Sequence, residues 1–173
     1  MKKFIVLLLT LILVACGNSR DKYYLLTFDN YTLAVGNDTA DFLNVIFDFD
    51  VKQTFVGNET VNDIDLYLDG VKFGKASLTN PKQKEATSKE TIVSSIEFYV
   101  EDYDIKDLRI NNITLDTSIK SNCEKFNGEY LYKNGNVCII EETVDDSNNS
   151  IILYGDISEL NQDKLDRIKI SIN

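Results

Sequence analysis

The amino-acid sequence predicts a mainly β protein, built as an antiparallel β-sandwich or a partly open barrel with one or two short helices. Along its 173 residues, short segments of alternating apolar and polar residues recur at a spacing of roughly 8 to 12 residues, which is typical of sandwiches and barrels. The dipeptides Asp69-Gly70 and Asn134-Gly135 separate such segments in the way that tight hairpin turns do. Only two segments are predicted as helices, so helices are expected to contribute little.

The first 16 residues have the layout of an export signal. Lys2 and Lys3 precede an uncharged run of 12 residues, 4–15, and Cys16 follows it. A helix needs about 20 apolar residues to span a bilayer, so the length of the run argues against a permanent transmembrane anchor. The end of the run, Leu13-Val14-Ala15-Cys16, resembles the lipobox of bacterial membrane lipoproteins.

This resemblance implies that the Cys16 thiol receives a diacylglyceryl group and that a signal peptidase cuts just before it. Residues 1–15 are then the signal peptide and residues 16–22 a lipidated tether. Acyl chains such as palmitate would hold the protein on the extracytoplasmic face of the cell membrane, where two chains suffice for stable anchoring. The alternative is an ordinary secretory signal, which the bulky Leu13, three positions before the cut, disfavours.

Residues 23–173 are predicted to form a single β-rich extracytoplasmic domain, with a seam near Asp116 as the alternative that would divide it into two subdomains. The predicted strands are 23–28, 31–35, 43–52, 63–69, 71–78, 91–100, 108–115, 129–132, 137–144, 151–154 and 167–172. Segment 43–52 is predicted as a strand because Leu43, Val45 and Phe47 alternate with mostly polar residues. Segment 91–100 also fits a helix, and this alternative stays open.

The two helical patterns cover residues 117–127 and 158–165. The first has Asp116 or Thr117 as its expected N-cap and Gly128 as its expected C-cap. The segment 81–90 is polar and rich in lysine, so we expect it to be an exposed loop.

Two cysteines remain if Cys16 carries lipid. Cys123 and Cys138 form an even pair in a chain with an export signal, which predicts a disulfide that pins the helix to the following strand. The alternative, a redox pair, usually has the closer Cys-x-x-Cys spacing, which this sequence lacks.

Composition excludes several kinds of chemistry. The chain contains no histidine, so it cannot use an imidazole base, a Ser-His-Asp system or a zinc site with histidine ligands. Its net charge of −10 argues against nucleic acid as a partner, because phosphate binding requires clustered lysine and arginine. Glycines are sparse and unclustered, so no phosphate-binding loop is predicted. We predict no cofactor and no catalytic residue.

Acidic residues are the remaining candidates for a metal site. Asp48, Asp50, Asp63, Asp65 and Asp69 fall on the outward faces of two predicted strands. Oxygen ligands suit calcium, but the spacing matches no EF-hand loop, and a solvated strand face has the same alternation. The favoured interpretation is the solvated face, for these residues and for the polar loop 145–149, and a cation site is the alternative for both.

Three functions are compatible with the sequence. The favoured hypothesis is a non-catalytic cell-surface lipoprotein whose domain binds a protein, a glycan or a wall component through strand edges and outward tyrosines such as Tyr67 and Tyr99. A structural or assembly accessory of an envelope complex is the second. An extracytoplasmic hydrolase that uses paired carboxylates is the third.

Overall fold

The computed structural model of the chain describes residues 23–100, 107–132, 136–144, 147–155 and 163–172. Its elements, in chain order, are β1 (Tyr24–Phe28), β2 (Tyr31–Val35), α1 (Ala40–Ile46), β3 (Thr54–Phe55), β4 (Thr60–Leu68), β5 (Val71–Thr79), β6 (Ala86–Thr87), a 3-10 turn (Ser88–Glu90), β7 (Ile92–Tyr99), β8 (Arg109–Ile110), β9 (Ile113–Thr114), α2 (Ile119–Phe126), β10 (Glu129–Tyr132), β11 (Asn136–Val144), β12 (Ser147–Gly155) and β13 (Leu165–Ser171).

The strands form one large sheet, one small sheet and a short ribbon. The large sheet has seven strands in the order β10-β11-β12-β13-β7-β5-β4, the small sheet has the order β2-β1-β8-β9, and β3 pairs with β6. Every strand pairing among the described residues is antiparallel. The large sheet ends in β10 on one side and β4 on the other, so it is open in this part of the chain. The predicted fold class, a mainly β antiparallel sandwich with short helices, is confirmed.

The core between the two sheets is centred on four phenylalanines. Phe28 of β1 lies 5.3 Å from Phe73 of β5, which lies 5.2 Å from Phe98 of β7 and 4.7 Å from Phe47, measured between ring centroids. All four are buried. Contacts between aromatic rings at these distances stabilise a core beyond the area that they bury. The small sheet is therefore held on the large one mainly by side chains that alternate inward along their strands.

The prediction of a strand over 43–52 is wrong, because its first residues are helical and residues 47–52 form only an isolated bridge at Asp48. Residues Ala40–Ile46 form helix α1, in which Thr39 Oγ1 accepts a hydrogen bond from the Phe42 N–H at 3.4 Å. Leu43 and Phe47 are four residues apart, so they satisfy the helical period as well as the strand period. Val45 distinguishes the two, because the strand would bury it and it is 75% exposed.

Most other predicted strands are confirmed within one or two residues, although segment 108–115 forms two short strands, β8 and β9, rather than one. The helical alternative for 91–100 is wrong, because β7 pairs with β5 on one side and with β13 on the other. Asp69 and Gly70 form the predicted two-residue turn, with φ values of 51° and 78° between the paired Leu68 and Val71. Strands β10 and β11 pair as a hairpin, while the Asn134-Gly135 turn itself lies outside the described residues.

The caps of α2 differ from the prediction. Ser118, rather than Asp116 or Thr117, is the N-cap, and its Oγ accepts the Ser121 N–H at 3.0 Å. The C-cap is Asn127 in the left-handed conformation, at φ 52°, one residue before Gly128. Asparagine tolerates this conformation well, so glycine is not required there.

Two further predictions concern the segments 158–165 and 81–90. Of the predicted helix 158–165, residues 158–162 lie outside the described residues, and Leu165 begins β13. Segment 81–90 is not wholly an exposed loop, because it contains β6 and the 3-10 turn and because Ala86 is buried. Pairing with β3 explains the order in this segment.

A candidate binding surface on the outer face of the large sheet

The lipid attachment residue predicted from the sequence, Cys16, lies outside the described residues, as does the whole of 1–22. The polar loop residues Asp145 and Asp146 lie outside them too. In the part of the chain that the structure describes, no helix has both the length and the apolar character that crossing a membrane requires. The lipid anchor therefore stays a prediction.

The other two predicted cysteines come together between α2 and β11. Cys123 and Cys138 are both buried, their Cα atoms are 5.6 Å apart and their Sγ atoms are at bonding distance, 2.15 Å. Gly128 packs against this pair, since a Cβ there would lie 2.7 Å from Cys138 Sγ. The pair joins the helix to the strand, as the sequence predicts.

Two of the five predicted acidic residues are paired with lysines. Asp63 Oδ1 lies 3.1 Å from Lys75 Nζ, and Asp65 Oδ1 lies 2.7 Å from Lys72 Nζ. Asp48 pairs with Tyr67 of β4 through two backbone hydrogen bonds of 2.9 Å, so the two acidic segments are neighbours. No group of three or more potential metal ligands occurs among the described residues. These contacts favour an ion-paired, solvated strand face.

One surface of the large sheet faces away from the core, and we call it the outer face. Its residues form rows across neighbouring strands, because register partners project to the same side. One row contains Lys75, Glu97 and Lys169 of β5, β7 and β13, and the next contains Ser77, Ser95 and Ser171 of the same strands. The first row is charged with alternating sign, and the second is entirely hydroxyl-bearing.

The hydroxyl-bearing row lies in a groove of about 440 Å³ on the outer face. We call it the hydroxyl groove. Its lining includes five residues with a hydroxyl group and one lysine: Thr60, Thr79, Ser94, Ser95, Ser171 and Lys169. Three hydroxyls are linked across β4, β5 and β7: Thr60 Oγ1 is 2.9 Å from Thr79 Oγ1, which donates to Ser94 Oγ at 2.8 Å. The groove is thus lined by an ordered set of polar groups on a rigid sheet.

A cluster of two tyrosines and an arginine lies on the outer face beside the charged row. The Arg167 guanidinium carbon is 4.1 Å from the centre of the Tyr154 ring and 6.0 Å from that of Tyr99. Arg167 also forms an ion pair of 2.8 Å with Glu97. Burial raises the pKa of Tyr154, and the negative charge of Glu97 adds to this while Arg167 opposes it. Stacking on an aromatic ring and pairing with a carboxylate fix the guanidinium in place.

The predicted outward tyrosines are both on the solvent side of their strands. Tyr67 is exposed and Tyr99 is half-buried, whereas their strand neighbours Leu66 and Phe98 are fully buried. Tyr99 belongs to the cluster that it forms with Tyr154 and Arg167. Sequence reasoning missed Arg167 and Tyr154, although both occupy outward positions in predicted strands, because strand order was unknown.

A second concave region lies beside α1. This cleft has a volume of about 430 Å³, and its lining residues include Asp41, Asp50 and Lys89. Lys89 Nζ lies 3.7 Å from Asp41 Oδ1. Asp50, which the sequence places on the outward face of a predicted strand over 43–52, thus lines this cleft.

No family model, no curated protein and no solved structure matches this chain. The class that the fold defines is an antiparallel β-sandwich with a disulfide-compatible cysteine pair.

Proposed function

We propose that the protein is a membrane-anchored cell-surface lipoprotein whose β-rich domain binds a component of the cell envelope without catalysis. The single observation that carries the binding role is the outer face of the large sheet, which combines the hydroxyl groove with the cluster of Tyr99, Tyr154 and Arg167. The N-terminal lipobox pattern ending at Cys16 supports the anchor.

The composition of the outer face supports recognition. Tyrosine and arginine dominate binding energy at interfaces, because they combine large contact area with fixed polar groups. Here Arg167 is held by Glu97 and by two rings, so little side-chain freedom remains to be lost on binding. The underlying strands β7 and β13 are interior to the sheet, which makes the platform rigid.

The distribution of charge supports a domain that stands away from the membrane. Cleavage after Ala15 removes Lys2 and Lys3, which leaves 16 basic and 28 acidic residues and a net charge of −12. Such a domain is repelled by an anionic membrane within about 10 Å of the surface. On the outer face, by contrast, Lys75, Lys169 and Arg167 offset the acids beside them. The domain would therefore stand away from the bilayer with a nearly neutral face available to a partner.

The anchor is tested with a Cys16→Ser variant expressed in a bacterium that processes lipoproteins. We expect the parent chain to incorporate labelled palmitate and to sediment with membranes, and the variant to do neither. Palmitate labelling of the variant equal to that of the parent would show that Cys16 is not the attachment site.

The binding surface is tested by crosslinking and capture from intact envelopes with the lipidated protein. We expect Tyr154→Ala and Arg167→Ala to lose the captured component, while Phe42→Ala, which removes an exposed aromatic side chain on α1, retains it. Capture by the folded outer-face variants at the parent level would contradict the proposal. A stoichiometric membrane complex that all variants retain would instead support an assembly accessory.

The cleft beside α1 is the specific observation that favours the alternative, a carboxylate-based hydrolase. Asp41 and Asp50 line the same concave site, as a pair of acid and base groups must. Hydrolysis of envelope polysaccharides by the parent chain, abolished in Asp50→Asn and retained in Asp69→Asn, would establish this function in place of the non-catalytic one.

A further inference from the structure

We infer that the hydroxyl groove binds a sugar ring of an uncharged glycan. This inference deepens the proposed binding function and rests on it. Its volume of about 440 Å³ falls within the range of small-ligand sites, about 300 to 1,000 Å³. Hydroxyl groups from four neighbouring strands line it, so their relative positions are fixed by the backbone pairing of the sheet.

The hydrogen bonds in the groove have a direction. Thr79 donates its only hydroxyl hydrogen to Ser94 Oγ at 2.8 Å, and Ser94 donates its own to the Ser77 carbonyl oxygen at 3.2 Å. The contact of 2.9 Å between Thr60 and Thr79 must therefore be donated by Thr60. All three hydrogens are consumed inside the groove, so these side chains offer oxygen lone pairs to a ligand.

Donors lie on the other side of the same groove. Ser95 Oγ and Ser171 Oγ are 3.1 Å apart, so one hydrogen is used between them and the other is available. Lys169 Nζ has three hydrogens, and its contact with Glu97 is loose, at 3.9 Å. A ligand must then donate to one side and accept from the other, and neighbouring hydroxyls of a sugar do both.

The surroundings favour a neutral sugar over a cation or a peptide strand. Among the described residues that line the groove, Lys169 carries the only charge, which disfavours a cation. The Glu97 carboxylate, 3.9 Å from Lys169 Nζ, offsets that charge, so the groove does not select an anion either. Ile92 also lines the groove and provides apolar surface for the C–H groups of a ring. Strands β5, β7 and β13 are paired on both sides, so their backbone groups are used within the sheet. A peptide therefore cannot bind by adding a strand to any of these three.

The test measures binding of the full lipidated chain, in detergent micelles, to tetramers of glucose, galactose, mannose and N-acetylglucosamine by saturation-transfer NMR. Tetraalanine serves as the peptide probe. We expect at least one sugar to bind and Thr79→Val, which breaks the hydroxyl chain without changing side-chain shape, to weaken it about tenfold. Lys169→Met, a second variant, should weaken it as well.

The matched control is Thr32→Val. Thr27 and Thr32 form a similar cross-strand hydroxyl pair, 3.2 Å apart, on the small sheet. Equal loss in this control and in Thr79→Val would overturn the inference, as would binding of none of the four tetramers or of tetraalanine alone. If envelope capture still depends on Tyr154 and Arg167 in those cases, the proposed function stands and only the sugar assignment fails.

Discussion

Asn80 is the residue whose replacement tests the described packing most directly. It follows β5 and is fully buried. Its Nδ2 donates to the carbonyl oxygens of Val56 at 2.8 Å and of Lys84 at 2.9 Å, and its Oδ1 accepts the Lys82 N–H at 2.9 Å. One side chain thus ties together the segment after β3 and the segment before β6. Asn80→Ala removes these three bonds at once, together with the longer contact of 3.4 Å from Nδ2 to the Phe55 carbonyl oxygen.

The expected cost follows from the number of bonds. A buried hydrogen bond contributes about 1 kcal/mol net, so three bonds correspond to about 3 kcal/mol of unfolding free energy. For a domain of roughly 150 residues this lowers Tm by about 6 to 12 °C. Asn80→Asp should cost more, because it retains the acceptor for Lys82 but sets carboxylate oxygen against two carbonyl oxygens.

The measurement is urea unfolding followed by circular dichroism and by tyrosine fluorescence, since the chain has nine tyrosines and no tryptophan. The control is Gln83→Ala, an exposed position in the same segment, which should change stability by less than about 0.5 kcal/mol. A free energy of unfolding for Asn80→Ala within about 0.5 kcal/mol of the parent value, or an Asn80→Asp variant more stable than Asn80→Ala, would contradict this role of the Asn80 side chain.

Two further predictions concern the crosslink and a surface carboxyl. Replacing both Cys123 and Cys138 by alanine opens a loop of 15 residues, and we expect it to lower the unfolding free energy, measured in urea, by about 3 kcal/mol. Two free thiols in the native parent chain, counted by mass spectrometry, would contradict the crosslink. Hydrogen bonds from the Lys82 ammonium and then from the Thr87 N–H and hydroxyl lower the pKa of Glu90 from 4.5 to about 2. Because the folded pKa is the lower one, this stabilisation is present above about pH 4.5 and lost as the pH falls towards 2. NMR titration should follow the shift, and Lys82→Met should return the pKa of Glu90 towards 4.5.

Where local signals agreed, the sequence was sufficient to predict structure. In the hairpin of β4 and β5, Ile64 and Leu66 alternate inward and Asp69-Gly70 supplies the left-handed turn that a two-residue loop requires. Alternation and turn chemistry are both local, so they need no knowledge of the rest of the fold.

Where two periods coincide, tertiary packing decided. Leu43 and Phe47 fit a helix and a strand equally well. Both are buried in the structure, Leu43 within α1 and Phe47 directly after it. Val45 then faces solvent, which the sequence pattern alone could not show. The helix is favoured because its residues Ala40, Leu43 and Ile46 join the buried core, and Phe47, directly after it, packs against Phe28 and Phe73.

The candidate binding surface shows the same division. The export pattern ending at Cys16, the acidic charge, the β class and the outward position of most residues of this surface follow from local sequence. That Ser77, Ser95 and Ser171 form one row follows instead from strand order, which brings β5, β7 and β13 side by side. Alternation sets which side of a strand a residue faces, whereas long-range pairing sets which residues become its neighbours.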